Sequence, residues 1–313
     1  MWVAQNTSFP QVGLFLCAVL VLLTACEEPI DSPIELVEPR LVMTSTFAPG
    51  KMVEVRLSAT QSPIGEARVL DIRDADIRIY EGQDLLEKLH YRPGTGGATG
   101  FYSTMHFQPV VGQQYSILAN ARGFTPISAE SSIPTSVPIR SLKISNLSVQ
   151  DGGSFHLYDF VLSVDYEDPA AEMNFYDLRI SQQVIPFRVN GLRDTTFYDA
   201  VAKSVQPPGA IIGNGPSLSQ SSVLVMDKPD AFGLEVQLQV RIDPNQEILG
   251  DLVAELRTVS EPYFQFQRTI QEVGSVYSGI SEQRVNGYTN VRQGYGLFAG
   301  YNSVEDRINI LGH

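Results

Sequence analysis

Between Leu234 and Ile242 apolar and polar side chains alternate without a break. Leu234, Val236, Leu238, Val240 and Ile242 are interleaved with Glu235, Gln237, Gln239 and Arg241. A period of two sends successive side chains to opposite faces, so this segment predicts a half-buried antiparallel strand. Phe160, Leu162, Val164 and Tyr166 repeat the pattern, as do Tyr176, Leu178 and Ile180. Clusters such as Pro93-Gly94-Thr95-Gly96-Gly97 punctuate the apolar runs as turns. The chain reads as mostly β.

Two units follow from this pattern. In the first, residues 40–138, strands are expected at Leu41–Phe47 and Met52–Ser58, paired around Ala48-Pro49-Gly50-Lys51. Others are expected at Ala75–Tyr80, Gly100–Phe107, Gln114–Ala121 and Ile127–Ser132. About seven short strands in about 100 residues suit an immunoglobulin-like or transthyretin-like β-sandwich, with Tyr115 packing at its end. The Pro-rich stretch Ile133–Pro138 marks the junction. The second unit, residues 139–313, is a β-rich domain with one helix near 261–273. Ser260 is a good N-cap, Pro262 suits the first turn and Gly274 is a natural stop. The aromatic face of this helix, with Tyr263, Phe264, Phe266, Ile270 and Val273, is expected to pack on a sheet.

The N-terminus has its own logic. Val12–Leu23 is a twelve-residue apolar run, short for a bilayer span and suited to a signal-peptide core, although no Lys or Arg precedes it. Leu23-Thr24-Ala25-Cys26 follows: a branched apolar residue, two small residues, then cysteine. This resembles the lipobox of bacterial lipoproteins. The resemblance implies a signal peptide over 1–25, cleavage between Ala25 and Cys26, and acylation of Cys26 by palmitate-class chains that tether the protein to a membrane. Residues 26–39 form an acidic, Pro-containing tether. Its first residues, Glu27-Glu28, resemble the surface-export signal of Bacteroidota lipoproteins.

Charge narrows the partners. The 313 residues carry 22 Lys+Arg against 35 Asp+Glu, a net −13. So acidic a chain repels phosphate backbones, which excludes nucleic acid as a partner, and it gains nothing from electrostatic docking on anionic lipid. Of the two cysteines, Cys17 leaves with the signal. Cys26 then stands alone, with no disulfide or thiolate metal cluster to join.

Several stretches together carry a wider resemblance. They are Leu41-Val42 with Val53–Ser58, Asp168-Pro169 leading into Asn174-Phe175-Tyr176-Asp177-Leu178, Ser260–Ile270, and Thr289-Asn290-Val291 with Gly294-Tyr295-Gly296-Leu297-Phe298. In this order the chain resembles the Bacteroidota outer-membrane lipoproteins grouped as domain of unknown function 4249, with Phe175-Tyr176 where two tyrosines are usual. The resemblance implies an outer-membrane accessory, encoded beside TonB-dependent transporters, and no established activity.

The search for reaction chemistry yields no candidate catalytic residue, metal ligand set or cofactor motif. G-x-S-x-G, H-E-x-x-H, phosphate loops and dinucleotide fingerprints are absent. His90, His106, His156 and His313 are scattered. Asp71, Asp74 and Asp76 read as a charged edge strand in preference to a calcium site. Tyr277, Tyr288, Tyr295 and Tyr301 fall among Gly, Asn and Ser, and are the candidate binding residues. The expected function is a non-enzymatic binding or accessory lipoprotein at the outer membrane, facing the cell surface, with a TonB-dependent transporter as its partner. The alternatives are a surface enzyme acting on glycans and a structural or adhesive β-module.

Overall fold

A computed structural model of the chain describes residues 38–60, 70–169, 173–205, 221–226, 233–277 and 287–312. Ala25, Cys26 and most of the tether lie outside them. Residues Pro39–His313 form one compact unit. Its architecture is two β-sandwiches built on a shared sheet.

In the first half the strands are β1 (Leu41–Phe47), β2 (Glu54–Ala59), β3 (Leu70–Asp71), β4 (Asp76–Glu81), β5 (Asp84–Lys88), β6 (His90–Arg92), β7 (Phe101–Ser103), β8 (Gln114–Asn120) and β9 (Ile127–Ser132). β1 and β2 pair antiparallel, as their flanking turn predicts. Four strands, in the order β5-β4-β8-β9, form one sheet. They face β1, β2, β7 and β6 across a core of Met43, Phe47, Val55, Ile77, Ile79 and Ile117. Tyr115 closes one end of this core, its hydroxyl accepting the Val110 amide at 3.0 Å. β4 lies between β5 and β8, so Asp76 sits on an inner strand and not on the expected edge.

The second half contributes β10 (Ile139–Asp151), β11 (His156–Tyr166), β12 (Phe175–Val189), β13 (Thr195–Phe197), β14 (Val201–Ser204), β15 (Ser221–Met226), β16 (Leu234–Ile242), β17 (Glu247–Val259), helix α1 (Glu261–Tyr277) and β18 (Tyr295–Asn309). The three-stranded sheet β10-β11-β16 covers β12, β17 and the second half of β18. Phe160, Leu162, Val164, Leu178, Leu238 and Leu256 fill the core between them. The alternation in β16 and β11 is the reason for this face. Ile133 is buried in the first core and Val137 in the second, and Val291 and Phe298, from residues 139–313, also lie in the first.

β18 links the halves. Its residues Tyr295–Gly300 pair parallel with β1, and Tyr301–Asn309 pair antiparallel with β17. One eleven-stranded sheet therefore runs through both sandwiches. Phe298, in the first core, shares its parity with Val304 and Ile308, which pack on the second. Leu297 and Ala299, of opposite parity, face α1 with Tyr263, Phe264 and Phe175. Ile270 of the same helix is half exposed.

Gly274 does not stop the helix, which continues to Tyr277. A glycine costs only about 1 kcal/mol inside a helix, and it ends one only by turning left-handed. The Ser260 hydroxyl accepts from Ser131 of β9 at 3.2 Å, which ties the helix start to the first sandwich.

Candidate binding surface

One group of exposed apolar side chains, Val189, Leu192, Phe197 and Tyr198, lies where β12 turns into β13. The loop Asn190-Gly191-Leu192-Arg193-Asp194 is held by its first residue. Asn190 Oδ1 accepts the amides of Leu192 at 2.8 Å and Asp194 at 2.9 Å, and Nδ2 donates to Asp194 Oδ2 at 3.1 Å. Backbone bonds between Asn190 and both Asp194 and Arg193 close the turn, with Arg193 left-handed at φ 66°. An asparagine that bonds residues two and four ahead replaces backbone partners that a tight loop lacks. Leu192 is thereby held out into water, 84% exposed. Behind it Phe197 and Tyr198 are 59% and 53% exposed.

Beside the hairpin lies an open cleft of about 590 Å³, lined by Pro186–Val189, Tyr198 and Asn245–Glu247. This is within the size range of ligand pockets. One wall is the hairpin, where the Phe187 and Phe197 rings stand 6.1 Å apart. The other is the β16–β17 turn, built on Asp243, which accepts from Asn245 N and Gln246 Nε2 at 2.9 Å each. The Glu247 carboxylate is committed to Lys203 and to the Asp243 amide. Arg188 and Arg193 have no carboxylate partner among the described residues. Among the described residues the cleft thus offers a guanidinium without a carboxylate partner, a half-exposed phenol and the Asn245 amide.

Strand register places this surface. The chain enters β1 at Arg40, whose guanidinium lies over Tyr295 at the start of β18, 5.9 Å from the ring centroid. β18 then runs fifteen residues, a length of roughly 45 Å. β17 and β12 continue past its end, to the Pro186–Glu247 pair. The hairpin projects beyond that pair, at the pole opposite to Arg40.

Of the four candidate tyrosines, the three whose side chains are described do not form one cluster. Tyr295 is 43% exposed under Arg40. Tyr301, six residues further along the strand, is half-buried against the Arg257 guanidinium, 4.5 Å from its ring. Tyr288 lies by the helix, its amide 3.4 Å from Thr269 Oγ1, and burial followed by Glu261 pushes its phenol up. Tyr277 ends the helix, and its side chain is outside the described residues.

Beneath α1 lies a charge cluster that the hydrophobic pattern did not announce. Asp177, Arg179, Glu255 and Arg257 occupy one face of β12 and β17, with Asp177 opposite Arg257 and Arg179 opposite Glu255. Asp177 has no solvent exposure, and it accepts from Arg179 Nε at 3.0 Å and Tyr263 Oη at 2.7 Å. Arg257 grips Glu255 with two bonds of 2.8 Å. Burial and the Asp177 charge push the Tyr263 phenol up to about 12. A tyrosine held protonated among balanced charges is a staple for the helix. The signal was present in sequence: Asp177-Leu178-Arg179 and Glu255-Leu256-Arg257 repeat acid-Leu-Arg, and antiparallel pairing of the two matches opposite charges.

No group of three or more metal-binding side chains occurs among the described residues. Asp71 accepts from Tyr91 Oη at 2.7 Å and Arg73 Nε at 3.3 Å, whereas Asp76 pairs with Arg78 and Lys88.

Comparisons add the family. No curated protein sequence matches the chain. Three N-terminal domains of the bacteriophage RB49 Highly Immunogenic Outer Capsid protein are 11% identical, over 71% of this chain and 64% of that one, with a TM-score of 0.21. This chain therefore spans less than two thirds of that structure. A chain from a chaperone–tip adhesin complex of CFA/I fimbriae is 11% identical, over 68% of this chain and 82% of that one, with a TM-score of 0.18. The family model described as "Domain of unknown function (DUF4249)" matches residues 27–307, nearly the whole of the folded chain, and the chain belongs to that family.

Proposed function

We propose that the mature chain is a lipid-anchored, non-enzymatic binding or accessory protein of a Bacteroidota outer membrane, displayed at the cell surface, with a TonB-dependent transporter as its partner. Leu23-Thr24-Ala25-Cys26 and the acids after it support the address. The observation that carries the binding reading is the cleft at the far pole. It presents the Tyr198 ring, Asn245 and Arg188, which has no carboxylate partner among the described residues, while Glu247, the one carboxylate that lines it among those residues, is already bonded. Rigid strands that hold loops of this kind give a binding geometry.

Affinity purification of the tagged protein from native membranes tests the reading. Arg188→Glu with Tyr198→Ala lowers recovery of the transporter about tenfold, equivalent to about 1.4 kcal/mol. Undiminished recovery, or hydrolysis of a surface glycan by the purified chain, contradicts it.

A further inference from the structure

We infer that the β12–β13 hairpin is a second membrane contact: Leu192 enters the lipid interface, backed by Val189, Phe197 and Tyr198, and the anchored body lies flat on the bilayer. The anchored reading above supplies the first contact.

Leu192 has no part in any of the three cores, yet Asn190 fixes its loop with three side-chain hydrogen bonds. The loop is ordered in order to present an apolar side chain to water. Register gives the depth of each residue. Val189 pairs with Thr195 and Phe187 with Phe197, so Leu192 is outermost, Val189 follows, and the aromatic pair stands behind. An aliphatic tip with an aromatic collar matches the order of hydrocarbon and interface in a membrane.

Charge selects the occupant. On a chain of net −13, residues 186–201 carry Arg188 and Arg193 against Asp194 and Asp199, and are neutral. Neutrality lifts the repulsion that the rest of the molecule feels from headgroup phosphates. The Arg193 guanidinium, with no carboxylate partner among the described residues, suits those phosphates.

The anchor makes a weak contact sufficient. A single shallow insertion holds poorly by itself, but beside a tether it becomes intramolecular. Residues 26–39 reach at most about 45–50 Å when extended. A chain of that length does not by itself decide which pole of the body meets the bilayer. With the tip in lipid, the neighbouring cleft sits at the level of an integral membrane partner.

The sequence supplies the probe. From Cys26 onward the chain has one thiol and no tryptophan, because Cys17 and Trp2 lie upstream. Leu192→Trp in residues 26–313 is coupled through Cys26 to maleimide lipid in phosphatidylcholine vesicles. Its emission shifts to the blue and is quenched by bromine on the acyl chains, while Val110→Trp, an exposed site on the first sandwich, keeps its water-exposed emission. Unshifted, unquenched Leu192→Trp emission overturns the inference. So does equal quenching at Val110→Trp, or a concentration-dependent shift without vesicles, which marks self-association. The coupling is chemical, so either outcome is independent of whether cells acylate Cys26.

Discussion

The Tyr263 hydroxyl donates to Asp177 across 2.7 Å and accepts from Arg179 Nη2 across 2.8 Å, so one phenol joins helix α1 to a fully buried carboxylate on β12. Tyr263→Phe removes a donor from Asp177 and costs about 1–3 kcal/mol. The loss depends on pH in a set direction. With the folded phenol raised to about 12, its contribution is complete below the unfolded value of about 10 and is lost as pH rises from there through about 12. Denaturant titrations at pH 9, 10 and 11 should show wild type losing stability more steeply than Tyr263→Phe. Parallel alkaline slopes would refute the assignment.

Gly296 runs against β1, and a Cβ on it would meet the Met43 carbonyl oxygen at 1.9 Å with φ at +112°. Both the clash and the left-handed backbone forbid a side chain. Gly296→Ala should cost about 2–4 kcal/mol by chemical denaturation. Gly191→Ala, where nothing lies within 4 Å, should change little. Equal stability of the two variants would show that β18 does not run tight against β1.

Glu87 accepts three successive amides, from Met105 at 2.7 Å, His106 at 3.1 Å and Phe107 at 2.7 Å. Burial pushes its carboxyl up, but these donors outweigh burial and hold it below the ordinary range. A depressed carboxyl stabilises the fold above its unfolded value, and that stability is lost as pH falls through the folded one. Glu87→Gln should cost about 1–2 kcal/mol at neutral pH and flatten the acid limb of the stability profile. An unchanged acid limb would count against this role.

How much of this was legible depends on whether the residues in question are local. β1, β9 and β16 occupy the spans that their alternation predicts, because each presents one face to a core. β18 was hidden: Gly294-Tyr295-Gly296-Leu297-Phe298-Ala299-Gly300 has no period of two, and its partner β1 lies some 250 residues away in sequence. The glycines that blur its pattern are the ones that let it pass between β1 and β9. Asn290 completes that crossing, accepting the Phe298 amide at 3.0 Å and donating to its carbonyl at 2.7 Å. The cleft was hidden for a similar reason, since it joins 186–189 and 198 to 245–247. In β10 Leu142 and Ile144 alternate, as do Leu147 and Val149, but a β-bulge between Ser145 and Ser148 puts the two pairs out of phase, and the far end is exposed.

The proposed address at the outer membrane rests on lipid at Cys26. Cells expressing wild-type protein or Cys26→Ala are fed radiolabelled palmitate, and the label is followed through membrane fractionation. The predicted result is labelled wild-type protein in the outer membrane and an unlabelled, soluble or unprocessed variant. Continued labelling of Cys26→Ala, or an unlabelled wild type free of membrane, would contradict it.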